Sequence, residues 1–218
     1  MPEQRPAQMP LVLLGHGAHL SKDDPIMQML CRAFEALPAT VAIIDCPAHG
    51  ERRDLTLSEA AWEADVLARV GQPAVHAQLV GEWTAVIAAA RAAVPEASGP
   101  VAYAGFSMGT MFGLSIVGDL PDVAAAVFVV GGYIRPDRAN ARAVNDLIAK
   151  GIAKLGDRPV LMCNMSGDES FPIAGAIEVL EAIPGPKQMG VWVGGHTDVP
   201  PEAMALAMRW LRRTLRAA

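Results

Sequence analysis

Six short apolar runs, each followed by residues at helical spacing, constrain this chain more than any other feature. The runs are Pro10–Leu14, Thr40–Asp45, Val101–Ala104, Val123–Val130, Pro159–Asn164 and Lys187–Val193. Between and after them, Asp24–Leu37, Ser58–Val70, Val75–Val94, Ser107–Gly118, Arg138–Leu155, Pro172–Ile183 and Pro201–Arg216 carry apolar residues three and four apart, the period of a helix with one buried face. Ser58 stands where a helix N-cap belongs. Strands that alternate with helices join by right-handed crossovers into a mostly parallel sheet. The runs lack polar alternation, as expected when helices cover both faces. The expected fold is α/β: a three-layer α/β/α sandwich on a sheet of about six strands. A length of 218 residues with 52% hydrophobic content suits a single domain over residues 1–218, with 1–9 as a flexible N-terminal segment.

Charge and cysteine usage narrow the function classes. The net charge of −5 supplies no electrostatic basis for binding nucleic acid. Cys31, Cys46 and Cys163 are too few and too scattered for a disulfide framework, so they read as buried thiols in a reducing compartment. Met1–Gln8 lacks the basic and apolar regions of a secretory signal, and no apolar run reaches membrane-span length. The expectation is a cytoplasmic protein, monomer or homodimer, that contacts neither membrane nor nucleic acid. The histidines and cysteines show no metal spacing such as HExxH, so neither metal nor cofactor is expected.

The chemistry centres on Gly105-Phe106-Ser107-Met108-Gly109. This G-x-S-x-G follows a strand and opens a helix, the context in which a sharp turn exposes a serine above a sheet. A serine hydroxyl is a weak nucleophile until a nearby base takes its proton, and that base needs an orienting partner. Candidates for both follow later strands. Ser166-Gly167-Asp168-Glu169-Ser170 comes after the fifth, and Gly194-Gly195-His196-Thr197-Asp198 after the sixth. Both segments stand at carboxyl ends of strands, where such sheets keep their reactive groups. Asp168 is the favoured acid, with Glu169 and Asp198 as competitors. His19 and Phe106 are candidates for the pocket, and Met27, Met29, Met108 and Met111 for an apolar acyl site, although core packing is the ordinary use of methionine. His16 and His49 read as structural, and His76 as a surface residue.

With Ser107, Asp168 and His196 in this chain order, the protein resembles the α/β-hydrolase family over nearly its whole length, and in particular the small lidless branch of dienelactone hydrolases and carboxylesterases. The resemblance implies Ser107 as nucleophile, His196 as general base and then acid, and Asp168 as orienting carboxylate. It also implies an oxyanion hole of two backbone N–H groups, from Met108 and Ala18. His16-Gly17-Ala18 is similar to the family's His-Gly-x segment, and Pro47-Ala48-His49-Gly50 to its Pro-Gly-His-Gly loop, with Ala48 in place of a glycine. Two family strands that usually precede the His-Gly strand have no counterpart in the ten or so residues before it. The segment between Val130 and Pro159 holds one helix, too little for a cap domain, though that helix is a candidate small lid. Dienelactone hydrolases carry cysteine at the elbow, and the serine here points to esterase chemistry. The expected function is hydrolysis of small carboxylic esters through an acyl-enzyme. Thioesterase, C–C bond hydrolase and acyltransferase activities are alternatives on the same residues, as is a non-catalytic small-molecule binder of the same fold. A dinucleotide-binding reading of Gly15-His16-Gly17 with Asp45 is weaker, because Leu20 occupies the third glycine position of G-x-G-x-x-G.

Overall fold

A computed structural model describes residues 8–35 and 37–217. Six strands form one sheet in the order β2-β1-β3-β4-β5-β6, and every neighbouring pair is parallel. They are β1 (Leu11–Gly15), β2 (Thr40–Ile43), β3 (Val101–Phe106), β4 (Val123–Val129), β5 (Val160–Met165) and β6 (Lys187–Trp192). The helices are α1 (Pro25–Glu35), α2 (Glu59–Arg69), α3 (Pro73–Ala93), α4 (Met108–Ile116), α5 (Ala141–Ala153), α6 (Ile173–Ala182) and α7 (Pro201–Ala217).

Side chains of a strand alternate between the two faces of its sheet, and both faces here are covered. Leu11, Leu13, Val101 and Tyr103 face α3, α4, α5 and α6. Val12, Leu14, Ala102 and Ala104 face α1 and α7. This two-sided burial explains the uninterrupted apolar runs of the central strands. The first cluster is keyed by Trp83, Tyr103 and Phe128, with ring centroids 5.8 and 6.3 Å apart. Truncating such a buried aromatic costs about 3–5 kcal/mol. The edge strands β2 and β6 are only half-buried.

Several local expectations meet specific structure. Ser58 Oγ accepts the Ala61 N–H at 3.3 Å and caps α2. α3 begins at Pro73 rather than Val75, with proline in its first turn, where the missing N–H costs nothing. β2 ends at Ile43 rather than Asp45. Asp45 is instead buried, and its carboxylate accepts the backbone N–H of Lys22 at 2.7 Å and of Glu51 at 3.2 Å. Residues 1–7 of the expected flexible segment lie outside the described residues. Met9, by contrast, is buried and its carbonyl accepts the Gly99 N–H at 3.0 Å. The helix expected as a possible lid is a layer helix. α5 lies so close to α4 that a Cβ on Gly151 would stand 2.3 Å from the Leu114 carbonyl oxygen. His76 is also less superficial than expected, since its ring is largely covered and its Nε2 lies 3.1 Å from Asp119. Cys31, Cys46 and Cys163 are all buried, and burial pushes the Cys46 and Cys163 thiols up to about 12. No helix among the described residues is long and apolar enough to cross a membrane.

Candidate active site

Ser107 sits on the turn between β3 and α4 with φ 54° and ψ −112°. A side chain in such a region costs on the order of 1–3 kcal/mol, so the surroundings must impose it. The two glycines of the motif permit it by close approach. A Cβ on Gly105 would lie 2.5 Å from the Gly109 carbonyl oxygen, and one on Gly109 would lie 2.3 Å from the Gly15 carbonyl oxygen. Strand β3, helix α4 and the end of β1 therefore meet with no room for side chains. Hydrogen bonds then lock the turn. Thr110 Oγ1 reaches the carbonyl oxygens of Gly105 and Val129, both at 2.8 Å. The Ser107 N–H donates to Val129 O at 3.0 Å, and the buried Tyr103 hydroxyl donates to Gly109 O at 2.8 Å.

Two loops at the same carboxyl end of the sheet, after β5 and β6, complete the site. His196 Nε2 lies 2.8 Å from Ser107 Oγ, and His196 Nδ1 lies 2.8 Å from Asp168 Oδ2. The second oxygen of Asp168 accepts the N–H groups of Ser170 and Phe171 at 2.8 and 2.9 Å. Burial by itself would raise the Asp168 carboxyl. The His196 hydrogen bond and the two N–H donors outweigh it and hold the group below its ordinary value, so the charged form is favoured. The competing acids are used elsewhere. Glu169 accepts the backbone N–H of His196 at 3.4 Å, and Asp198 that of Gly195 at 2.8 Å. Neither meets the imidazole ring in a hydrogen bond.

The His16–Ala18 loop passes close beside Ser107. A Cβ on Gly17 would stand 3.6 Å from Ser107 Cβ. His16 is fully buried, with Nε2 accepting the Cys46 N–H at 2.9 Å and Nδ1 2.8 Å from Gly17 O. Burial lowers its pKa despite those contacts, so the neutral ring acts as a brace for the loop. Ala18 and Met108 both line the cleft around Ser107. Met108 is the first residue of α4, so its N–H has no carbonyl partner within the helix.

A cleft of ≈ 510 Å³ opens over Ser107, within the usual size range of small-molecule sites. One wall is α2, through Trp62, Val66 and the following Val70. Met111 of α4 and Val144 of α5 close the inner side, and Ile134 and Arg138 stand on the loop after β4. The expected pocket residues divide. His19 lines the mouth, with its ring edge-on to Trp62 at 5.0 Å. Phe106 does not line the cleft. It packs on the α1 and α7 face, because it shares the strand parity of Ala102 and Ala104. Met108 and Met111 line the cleft, whereas Met27 is core and Met29 is exposed. The wall contributed by α2 was absent from the sequence expectations. The signal for it was there: Trp62, Val66 and Val70 form an i, i+4, i+8 stripe along one face of the segment. His19, Glu59 and Glu63 bring possible metal-binding atoms within 4.8 Å of one another. All three are exposed, and Glu59 is already paired with Arg53.

No protein-family model matches the chain, and no curated protein sequence matches it. Solved structures do. A cold-adapted esterase from an Arctic intertidal metagenomic library superposes with a TM-score of 0.78 at 24% identity, over 96% of this chain and 84% of that one. Acetyl xylan esterase 1 from Thermoanaerobacterium gives 0.71 at 15%, over 96% and 76%. Dienelactone hydrolase from Anabaena variabilis gives 0.62 at 18%, over 96% and 87%. Taken with the six parallel strands and the packing of α5 into the helical layer, these likenesses establish that the chain has an α/β-hydrolase-like fold without a cap.

Proposed function

We propose that this protein is a serine hydrolase that cleaves small carboxylic esters through an acyl-enzyme. The observation that carries the proposal is the unbroken hydrogen-bonded row from Ser107 through His196 to Asp168 at the base of the cleft. With Asp168 ionised, His196 Nδ1 carries the proton and Nε2 is left to accept one from Ser107 Oγ. The alkoxide oxygen attacks the ester carbonyl carbon while the carbonyl π electrons move onto oxygen. The N–H groups of Ala18 and Met108 are the assigned donors to that oxyanion, a type of contact worth roughly 3–4 kcal/mol in the transition state. Collapse breaks the C–O bond, and the departing alcohol takes the proton held on His196 Nε2. Water, deprotonated by the same nitrogen, then attacks the acyl carbon and returns Ser107 as its hydroxyl. The names of the structural neighbours, two esterases and a dienelactone hydrolase, agree with ester chemistry.

A fluorophosphonate probe tests this reading together with a panel of p-nitrophenyl esters, thioesters, amides and dienelactone. Ser107 is the expected site of labelling, and Ser107→Ala is expected to remove ester turnover by three orders of magnitude or more. Labelling at another residue, or unchanged turnover by Ser107→Ala, rejects the assignment. A stronger preference for thioesters keeps the mechanism and changes the substrate class.

A further inference from the structure

The cleft over Ser107 has a partition as its inner end. Val70, Met111 and Val144 line it there, and the same three residues line a second cavity of ≈ 10 Å³, room for about one water molecule. Beyond them that cavity is walled by the apolar Val75, Phe112 and Leu147, with Gln72, His76 and Ser115 also on its lining. The three shared side chains are 8, 8 and 3% exposed and come from three different places: the C-cap of α2, α4 and α5.

Which half of an ester faces this partition follows from the placement of the base. The departing alcohol takes its proton from His196 Nε2, so the alcohol half lies on the His196 side. His196 follows β6 at one edge of the sheet, whereas α2 follows β2 at the other. The acyl half therefore points away from His196, along α4. Met111 stands there one helical turn past the nucleophile, its N–H bonded to Ser107 O at 3.0 Å. The surrounding Val66, Val70 and Val144 offer no polar side-chain group, so a charged acyl group would be stripped of water without compensation.

We propose that Met111, wedged between Val70 and Val144, is the floor of the acyl pocket and restricts this protein to esters of short, uncharged, apolar acids. This rests on the serine-hydrolase reading of Ser107. Methionine suits the position because its unbranched thioether fills an irregular gap. Replacing it with alanine joins the cleft to the cavity behind it and gives a longer chain somewhere to go.

The test compares kcat/KM for p-nitrophenyl acetate and octanoate in wild type, Met111→Ala and Met111→Ala/Leu147→Phe, with fluorophosphonate labelling and thermal melting of each. In Met111→Ala the octanoate-to-acetate ratio is expected to rise about tenfold, the effect of newly burying about two methylenes. In the double variant, where the larger ring introduced in place of Leu147 refills the opened space from the far side, the ratio is expected to fall back toward wild type. Should Met111→Ala fail to fold, Val144→Ala carries the same expectation with a smaller rise. A folded, labelled variant with an unchanged ratio overturns the floor alone. A wild type that neither labels at Ser107 nor cleaves any ester overturns the hydrolase reading, and the floor with it.

Discussion

The Tyr103 hydroxyl reaches across 2.8 Å to the carbonyl oxygen of Gly109, tying the strand before the elbow to the helix after it. Both residues are buried, and the ring of Tyr103 also fills the space that keeps Gly15 side-chain-free, since a Cβ there would meet the Tyr103 oxygen at 2.2 Å. The strain at Ser107 is thus held from beneath by a contact that involves no reacting group. Tyr103→Phe is expected to lower folding stability by about 1 kcal/mol and to leave Ser107 reactive toward fluorophosphonate. Gly109→Ala, which would press a methyl against the Gly15 carbonyl, is expected to lose far more. Urea unfolding of the two variants, each with a labelling assay, distinguishes them.

Asp168→Asn tests the orienting acid. It keeps the size of the side chain but removes the anion beside His196 Nδ1, which favours the wrong tautomer. A fall in kcat of about four orders of magnitude is expected on the pattern of such substitutions elsewhere, with the fold intact by circular dichroism. Glu169→Gln and Asp198→Asn alter only contacts to backbone N–H groups and are expected to stay within about tenfold of wild type. If either falls as far as Asp168→Asn, the acid has been assigned to the wrong residue.

Acid acts on the stability of the site through Asp168, whose carboxyl is held below its ordinary value, against burial, by the His196 hydrogen bond and the N–H groups of Phe171 and Ser170. A carboxyl whose folded value is depressed stabilises the fold above its unfolded value, near 3.8, and that stabilisation is lost as pH falls through the lower folded value. Asp168→Asn should accordingly narrow its stability deficit relative to wild type on going from pH 6 toward pH 3. A deficit that grows on acidification would contradict the shift.

Chain-length preference follows from an open cleft with a short inner end. Acetate and butyrate esters are expected to exceed octanoate and palmitate in kcat/KM, since each methylene left in water forfeits up to about 0.8 kcal/mol. α5 is packed against α4 and does not cover the cleft as a lid, so no jump in rate is expected as substrate passes its solubility limit. A steady rise toward palmitate would reject this picture.

Much of this architecture was legible in the sequence because its causes are local. Apolar runs of four to eight residues and helical spacing report burial within one element, and they placed the six strands and seven helices of the described residues to within a few residues. Gly105, Ser107 and Gly109 announced the elbow because a sharp strand-to-helix turn permits few residue types. Phe106, expected in the pocket, instead faces away from the cleft with Ala102 and Ala104, as the alternation of β3 requires. Other features depended on chain segments that meet only after folding. Glu169, Asp198 and Asp168 all lie on the two loops around His196, and the loop after β5 decides which carboxylate turns toward the ring, because the N–H groups of Ser170 and Phe171 anchor Asp168 there. Likewise the cleft wall from Trp62 to Val70, and the convergence of Val70, Met111 and Val144 around its inner end, join helices scattered along the chain. Spacing along a sequence records which face of a helix is buried. It carries no record of what that face is buried against, and that distance-spanning choice, made by packing, shapes the site.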